Sequence, residues 1–217
     1  VDLHFLRFER EAIVSNRPEI MQESIRSKEI ELNLIKLADL STVVSSYEYD
    51  LLKEIDPSLK IAHLPYSRGL VNAIAPFQKR DGLLFVGGFQ HTPNVDAIRF
   101  FCTEIYPLIL NKMPNCILHV VGSNCPDEVL QLQSENVKVH GFVEDLASIL
   151  QSVKVNLVPL RYGAGIKGKL GGAMAAGLPS VSTVLGAEGM AVKEGVDGVF
   201  ITDDSQSFAN YVIDLSV

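Results

Sequence analysis

Leu83-Leu84-Phe85-Val86-Gly87-Gly88, followed from Pro93 by a stretch with Val95, Ile98, Phe101, Cys102 and Ile105 on one face, sets the pattern that decides the fold. A short, unbroken apolar run closed by glycine reads as a strand buried on both faces, and the periodic stretch after it as a helix. Outward from there the alternation continues. Ile117-Leu118-His119-Val120-Val121 ends in Gly122, and a helix is expected at about 126–133. Further strands are expected at 137–140, 153–160 and 180–184, with helices at 145–151 and about 168–176 between them. Val199-Phe200-Ile201 is the last strand, before a helix that begins near Ser205. Strands alternating with helices predict a parallel sheet with covered faces, an α/β, doubly wound architecture.

Upstream the pattern is different. Residues 5–38 are rich in Glu, Arg and Lys, with Leu6, Ile13, Ile20, Ile25, Leu32 and Ile35 at helical spacing, and Pro18 suits the first turn of a second helix. A β-branched run, Ser41-Thr42-Val43-Val44, comes next, then a helix at 46–53 and a strand at 60–64. The Pro-, Gly- and Asn-containing stretch 65–80 is the expected linker. Val1 to Phe5 reads as the end of a strand already under way, which points to a chain cut from a longer protein. The expected organisation is therefore the tail of a second α/β domain at 1–70 and a Rossmann-like domain at 80–217.

Composition narrows the function classes. The chain has 217 residues, 47% hydrophobic and 21% charged, which excludes general disorder. Asp and Glu number 26 against 19 Lys and Arg, a net charge of −7, the opposite of a nucleic-acid-coating surface. No nucleic acid is expected as a partner. Three cysteines without C-x-x-C spacing fit a reducing compartment, so a cytoplasmic location is expected, with neither a disulfide scaffold nor a zinc ribbon. The uncharged run 170–187 is punctuated by Gly171, Gly172, Gly177, Pro179 and Gly186 and is rejected as a membrane span.

Ligands of doubly wound sheets sit where strands turn into helices at their carboxyl ends. Three such loops stand out. Gly87-Gly88-Phe89-Gln90-His91-Thr92-Pro93-Asn94 has paired glycines that let backbone N–H groups approach a phosphate, although a plain strand-to-helix turn accounts for it equally well. Pro159-Leu160-Arg161-Tyr162-Gly163-Ala164-Gly165-Ile166-Lys167-Gly168-Lys169 is the strongest feature. From 155 to 187 the only charges are Arg161, Lys167 and Lys169, a cationic, glycine-rich turn feeding a helix N-terminus. Free N–H groups, the helix dipole and lysines act together on an anion there. The competing reading is a tightly packed turn with solvated lysines. Gly141-Phe142-Val143-Glu144-Asp145 could hold a flat base, or Glu144 or Asp145 could simply cap the next helix. Neither G-x-x-x-x-G-K-[ST] nor G-x-G-x-x-G is present, against a P-loop and a standard NAD site.

The segments 140–146, 160–169 and 173–179, with Gly186-Ala187-Glu188-Gly189 after them, resemble the group 1 retaining glycosyltransferases of GT-B fold, of the family four type. The resemblance covers about 80–215 as the nucleotide-sugar domain. Asp2-Leu3-His4-Phe5-Leu6-Arg7 and 38–45 resemble the end of the same enzymes' acceptor domain. It implies transfer of a sugar from a nucleotide-diphosphate donor to a hydroxyl acceptor, with retention, no metal and no further cofactor. The acceptor would be a carbohydrate or lipid-linked, with peripheral membrane association through the missing domain. Gly87 and Gly88 would line the diphosphate, Gly141, Phe142 and Val143 the base, and Arg161, Gly163, Ala164, Gly165, Ile166, Lys167 and Lys169 the phosphates or donor sugar. His4 and Lys167 are the implied catalytic candidates, His4 standing in an Asp-x-His after a strand.

Departures from the family matter as much. Its two spaced glutamates fall on Ala164 and Gly172, the second being the ribose contact, and Gly88 and Pro93 stand near its usual Arg and Lys. These losses keep two rivals open: a nucleotide-binding domain without turnover, and a GT-B-like sugar-nucleotide epimerase. Asp203-Asp204 reads as a helix cap rather than a metal pair, Cys116 as a core residue, and His63 and His119 as core or edge residues.

Overall fold

A computed structural model describes residues 2–67, 69 and 75–217. Six short strands form its main sheet: β3 (Leu83–Val86), β4 (Leu118–Val121), β5 (Val137–Gly141), β6 (Val155–Val158), β7 (Ser180–Ser182) and β8 (Val199–Ile201). Every pairing is parallel, and the order is β5-β4-β3-β6-β7-β8. Order therefore reverses between β3 and β6, the place where doubly wound sheets bind ligands beyond the strand ends. Leu83, Leu84, Phe85, Val155, Leu157 and Val158 are fully buried, as strands covered on both faces require. The covering helices are α4 (Thr92–Phe100), α5 (Tyr106–Leu110), α6 (Asp127–Leu130), α7 (Leu146–Ser152), α8 (Gly168–Ala175), α9 (Val184–Ala187) and α10 (Ser205–Ser216), the last capped by Asp204.

A second sheet is only two strands, β1 (Ser41–Val43) and β2 (Ile61–His63), paired in parallel. With α1 (His4–Ser15), α2 (Pro18–Leu37) and α3 (Ser46–Ile55) it encloses a separate core of Leu3, Phe5, Leu6, Ile35, Val43, Leu52, Leu59 and Ile61. Chain contacts divide the molecule accordingly. The first unit runs to Ser67 and takes in Arg161–Lys167 and Ala187–Ala191, while the second holds the segment ending at Leu160 with Gly168–Gly186 and Val192–Val217.

Most expected elements are present, with four differences. Among the described residues no strand ends at the start of the chain: Val1 lies outside them, and α1 opens at His4, with Phe5, Leu6 and Ala12 buried at helical spacing. Leu3 offers no capping side chain, and the Glu31 carboxylate of α2 accepts from the His4 and Phe5 N–H groups instead. Asn16, at φ 52°, ends the helix in the left-handed conformation asparagine tolerates. In the second unit α6 is a single turn, and the strand expected to 184 stops at Ser182, giving way to the short α9. The helix after β3 is interrupted by a π-helical segment, Phe101–Ile105, just before Pro107, whose ring cannot follow a regular turn. Of the expected linker, Arg68 and residues 70–74 lie outside the described residues.

Candidate active site

Beyond β3 the chain turns at Gly87 and Gly88, and the turn is pinned to the end of β4 and to Ser123 beyond it. Gly87 N–H donates to Val121 O at 2.9 Å and Phe89 N–H to Ser123 O at 2.9 Å. A Cβ on Gly122 would lie 1.8 Å from Gly87 O, so only glycine lets the two strand ends come this close. Asn94, on the first turn of α4, is buried behind the turn. Its Nδ2 donates to Gly88 O at 2.8 Å, and its Oδ1 accepts from Lys169 Nζ at 2.5 Å. Lys169 stands on the first turn of α8, its ammonium 4.7 Å from the Phe85 ring centroid. A glycine turn, a cation and a helix N-terminus thus meet in one unit, an arrangement suited to an anion.

Two further elements flank this group. Gly141, at φ 68°, accepts from Gly122 N–H at 2.9 Å and is followed by Phe142, 73% exposed. Asp145, not Glu144, caps α7 by accepting from Ser148 N–H at 3.1 Å. Just before Gly141, His140 Nε2 lies 2.9 Å from His119 Nδ1 with the rings stacked, and His119 is held below its ordinary pKa by burial and by His140. Gly172 is buried in the middle of α8.

Arg161, Gly163, Ala164, Gly165, Ile166 and Lys167 belong by their contacts to the first unit. Gly165 N–H donates to Glu48 Oε1 at 2.9 Å, and Leu3 N–H donates to the same oxygen at 3.1 Å. Glu48 is fully buried, and its Oε2 has no hydrogen-bond partner among the described residues. Arg10 donates to Gly163 O at 2.8 Å and forms a two-pronged pair with Glu188, both contacts 2.8 Å. Gly165 is left-handed at φ 67° and faces Asp2 so closely that a Cβ would meet Asp2 Oδ1 at 2.3 Å. Lys167 is not solvated. It is 6% exposed, and its ammonium donates to Gly165 O at 2.5 Å. His4 is exposed at the start of α1, with Nδ1 3.8 Å from Glu31 Oε1.

Electrostatics follow burial. Desolvation pulls the Lys167 ammonium down to about 8, opposed by Glu188, Glu48 and Asp2 and assisted by Arg10. Burial pushes the Glu48 carboxyl up, against its hydrogen bonds from Leu3 and Gly165. Burial likewise pushes the thiols up, Cys102 to about 12 and Cys116 to about 11, so neither is a nucleophile at neutral pH. Asp204 accepts from Ser207 N–H and Asp203 from Val184 N–H, which accounts for the acidic pair. Among the described residues no group of three or more His, Cys, Asp or Glu could hold a metal, and no helix is long and apolar enough to cross a membrane.

Asn94, Glu48, Arg10 and Glu188 carry roles that sequence reading does not assign. Ser45-x-x-Glu48 has the spacing of a capping box, and Ser45 does accept from Glu48 N–H at 3.3 Å. The glutamate, however, leaves that helix end for Leu3 and Gly165, which spacing cannot reveal.

Known proteins resemble the chain both in sequence family and in fold. The family described as glycosyl transferases group 1 matches residues 80–216. An uncharacterized 44.6 kDa protein in the cps region of Klebsiella pneumoniae is 24% identical over 144 residues, covering 62% of this chain and 37% of that protein. TarM of S. aureus, solved with fondaparinux, α-GlcNAc-glycerol and UDP, superposes with a TM-score of 0.71 at 15% identity, over 88% of this chain and 39% of TarM. HepE of Anabaena, in complex with UDP and glucose, gives 0.65 at 14% identity, over 87% of this chain and 57% of HepE. The chain spans only part of the length of each. At these identities the structural likeness is one of fold.

Proposed function

The chain belongs to the glycosyl transferases group 1 family and has the GT-B fold, and from that premise we propose that the whole protein moves a hexose from a nucleoside-diphosphate donor to a hydroxyl acceptor, with retention at the anomeric carbon. One observation carries the reading: Lys169 Nζ is held at Asn94 Oδ1 while Asn94 Nδ2 holds Gly88 O, so a cation, a glycine turn and the start of α8 converge. In this reading the donor diphosphate lies against Gly87 and Gly88, with Lys169 and the α8 N-terminus supplying positive charge. As the bond from the anomeric carbon to the diphosphate oxygen breaks, negative charge grows on that oxygen. Fixed donors and an oriented ammonium meet it without having to reorganise. Exposed Phe142 and the open backbone at Gly141 are suited to the flat face of the base.

Support for a sugar nucleotide comes from UDP in the TarM and HepE complexes. The cps region of the Klebsiella relative supports a carbohydrate or lipid-linked acceptor in polysaccharide assembly. A second reading, nucleotide binding without turnover, is favoured by Gly172, which leaves α8 without a carboxylate for the ribose. Product analysis on the full-length protein separates the two.

Titration calorimetry with ADP, GDP and UDP tests the site. At least one is expected to bind, and Lys169→Ala is expected to weaken it about 10- to 150-fold, the worth of one charge-assisted hydrogen bond. Unchanged affinity in Lys169→Ala would place the diphosphate elsewhere.

A further inference from the structure

We propose that Asn94 is the positioning residue of this site: its side-chain amide fixes the Lys169 ammonium at the Gly87–Gly88 turn without neutralising it. The proposal rests on the donor reading above. Asparagine has no intrinsic reason to be buried in a helix, where it is a mediocre former and an amide must find partners. Asn94 is only 6% exposed, and both ends of its amide are used. Nδ2 donates to Gly88 O at 2.8 Å, and Oδ1 accepts from Lys169 Nζ at 2.5 Å. Gly87 makes the room: a Cβ there would stand 2.6 Å from Asn94 Cγ.

The chemistry selects this side chain. Joining a carbonyl to an ammonium needs one group that is both donor and acceptor, and a primary amide is that group. Aspartate would hold the lysine harder, but it would cancel the charge a diphosphate needs and set a carboxylate against Gly88 O. Leucine would leave the carbonyl and the ammonium without this link. The lysine stem is steadied as well, since its ammonium also lies 4.7 Å from the Phe85 ring centroid, within cation–π range. Lys169 and Asn94 are 75 residues apart in sequence, so the contact ties the first turn of α8 to the turn after β3.

A double-mutant cycle on the full chain tests this. The probe is whichever of ADP, GDP and UDP the wild type binds tightest, together with its unphosphorylated nucleoside. Asn94→Ala is expected to weaken the diphosphate about five- to tenfold and leave the nucleoside unchanged. In a Lys169→Ala background the same change should have no further effect, because the cation it orients is gone. Asn94→Asp, which preserves shape, should weaken the diphosphate more than Asn94→Ala does. Equal losses for diphosphate and nucleoside, or additive losses in the cycle, would mean that Asn94 only supports the fold, and the proposal would fall. A wild type that binds none of the three diphosphates overturns the donor reading itself, and the role of Asn94 with it. A wild type that binds while the cycle is additive overturns Asn94 alone.

Discussion

Lys167 carries an amine in a place that disfavours its charge. Its folded pKa of about 8 lies below the ordinary 10.5, so the unfolded chain holds the proton more firmly. Stability from this group is lost as pH falls through about 8 and is fully present above 10.5. Arg10 disfavours the ammonium further, while Glu188, Glu48 and Asp2 favour it. Relative to Lys167→Met, wild type is therefore expected to gain stability between pH 8 and 10.5, by up to about 3 kcal/mol in thermal or denaturant unfolding. A flat difference across that range would mean that the amine is already hydrated. Glu48 has the opposite sign. Its folded pKa is raised, so its contribution is fully present in acid and is lost as pH rises through that value. The comparison between wild type and Glu48→Gln should move in favour of the glutamine as pH rises above the ordinary carboxyl value of 4.5. Glu48→Ala should be worse than either, because the Leu3 and Gly165 N–H groups lose their acceptor, at about 1–3 kcal/mol each.

At the scale of elements, the ends of β3 and β4 are fitted to each other through glycine. A methyl at Gly122 would meet Gly87 O at 1.8 Å and the Phe89 ring at 2.9 Å, neither of which can yield without moving the turn. Gly122→Ala is expected to destabilise the second unit by about 1–3 kcal/mol, as overpacking does, and to weaken nucleoside diphosphate binding as well. Calorimetry on the folded variant separates the two effects. Wild-type affinity in Gly122→Ala would show that the Gly87–Gly88 turn does not touch the diphosphate. The strands themselves were legible, because Leu83–Val86 and Val155–Val158 are almost wholly apolar runs and a strand buried on both faces needs little else. Pro18 and Asp204 announced helix starts by their local chemistry. The start of α1 was not legible by that route. Its first N–H groups are satisfied by Glu31, 27 residues away from His4, and no capping residue marks the position. Candidate loops could be found from glycine and charge, but Asn94 and Glu48 could not. Their partners lie 75 and 117 residues away, and only the folded chain brings them together.

For the molecule as a whole, the two sheets are built to different standards. The six-stranded sheet has strands at its centre with fully buried side chains on both faces, whereas β1 and β2 share three residue pairs and leave His63 exposed. So short a pair is held by the helices packed on it more than by its own ladder. Amide exchange should therefore be uneven. Leu84, Phe85 and Leu157 should exchange only when the second unit opens globally, and Thr42 and Val43 should exchange earlier through local opening. A ligand sharpens this contrast. The proposed diphosphate partners, Gly87, Gly88 and Lys169, and Asn94 that positions the lysine, all belong to the second unit. At about one hundred times its dissociation constant, a bound nucleotide stabilises the state that binds it by about 2.7 kcal/mol, which slows global exchange about one hundredfold. That slowing is expected at Leu84, Phe85 and Leu157, with Thr42 and Val43 keeping their rates. Equal slowing in both sheets would show that the donor is not held by Gly87, Gly88 and Lys169 alone. Slowing confined to Thr42 and Val43 would place the nucleotide away from the six-stranded sheet.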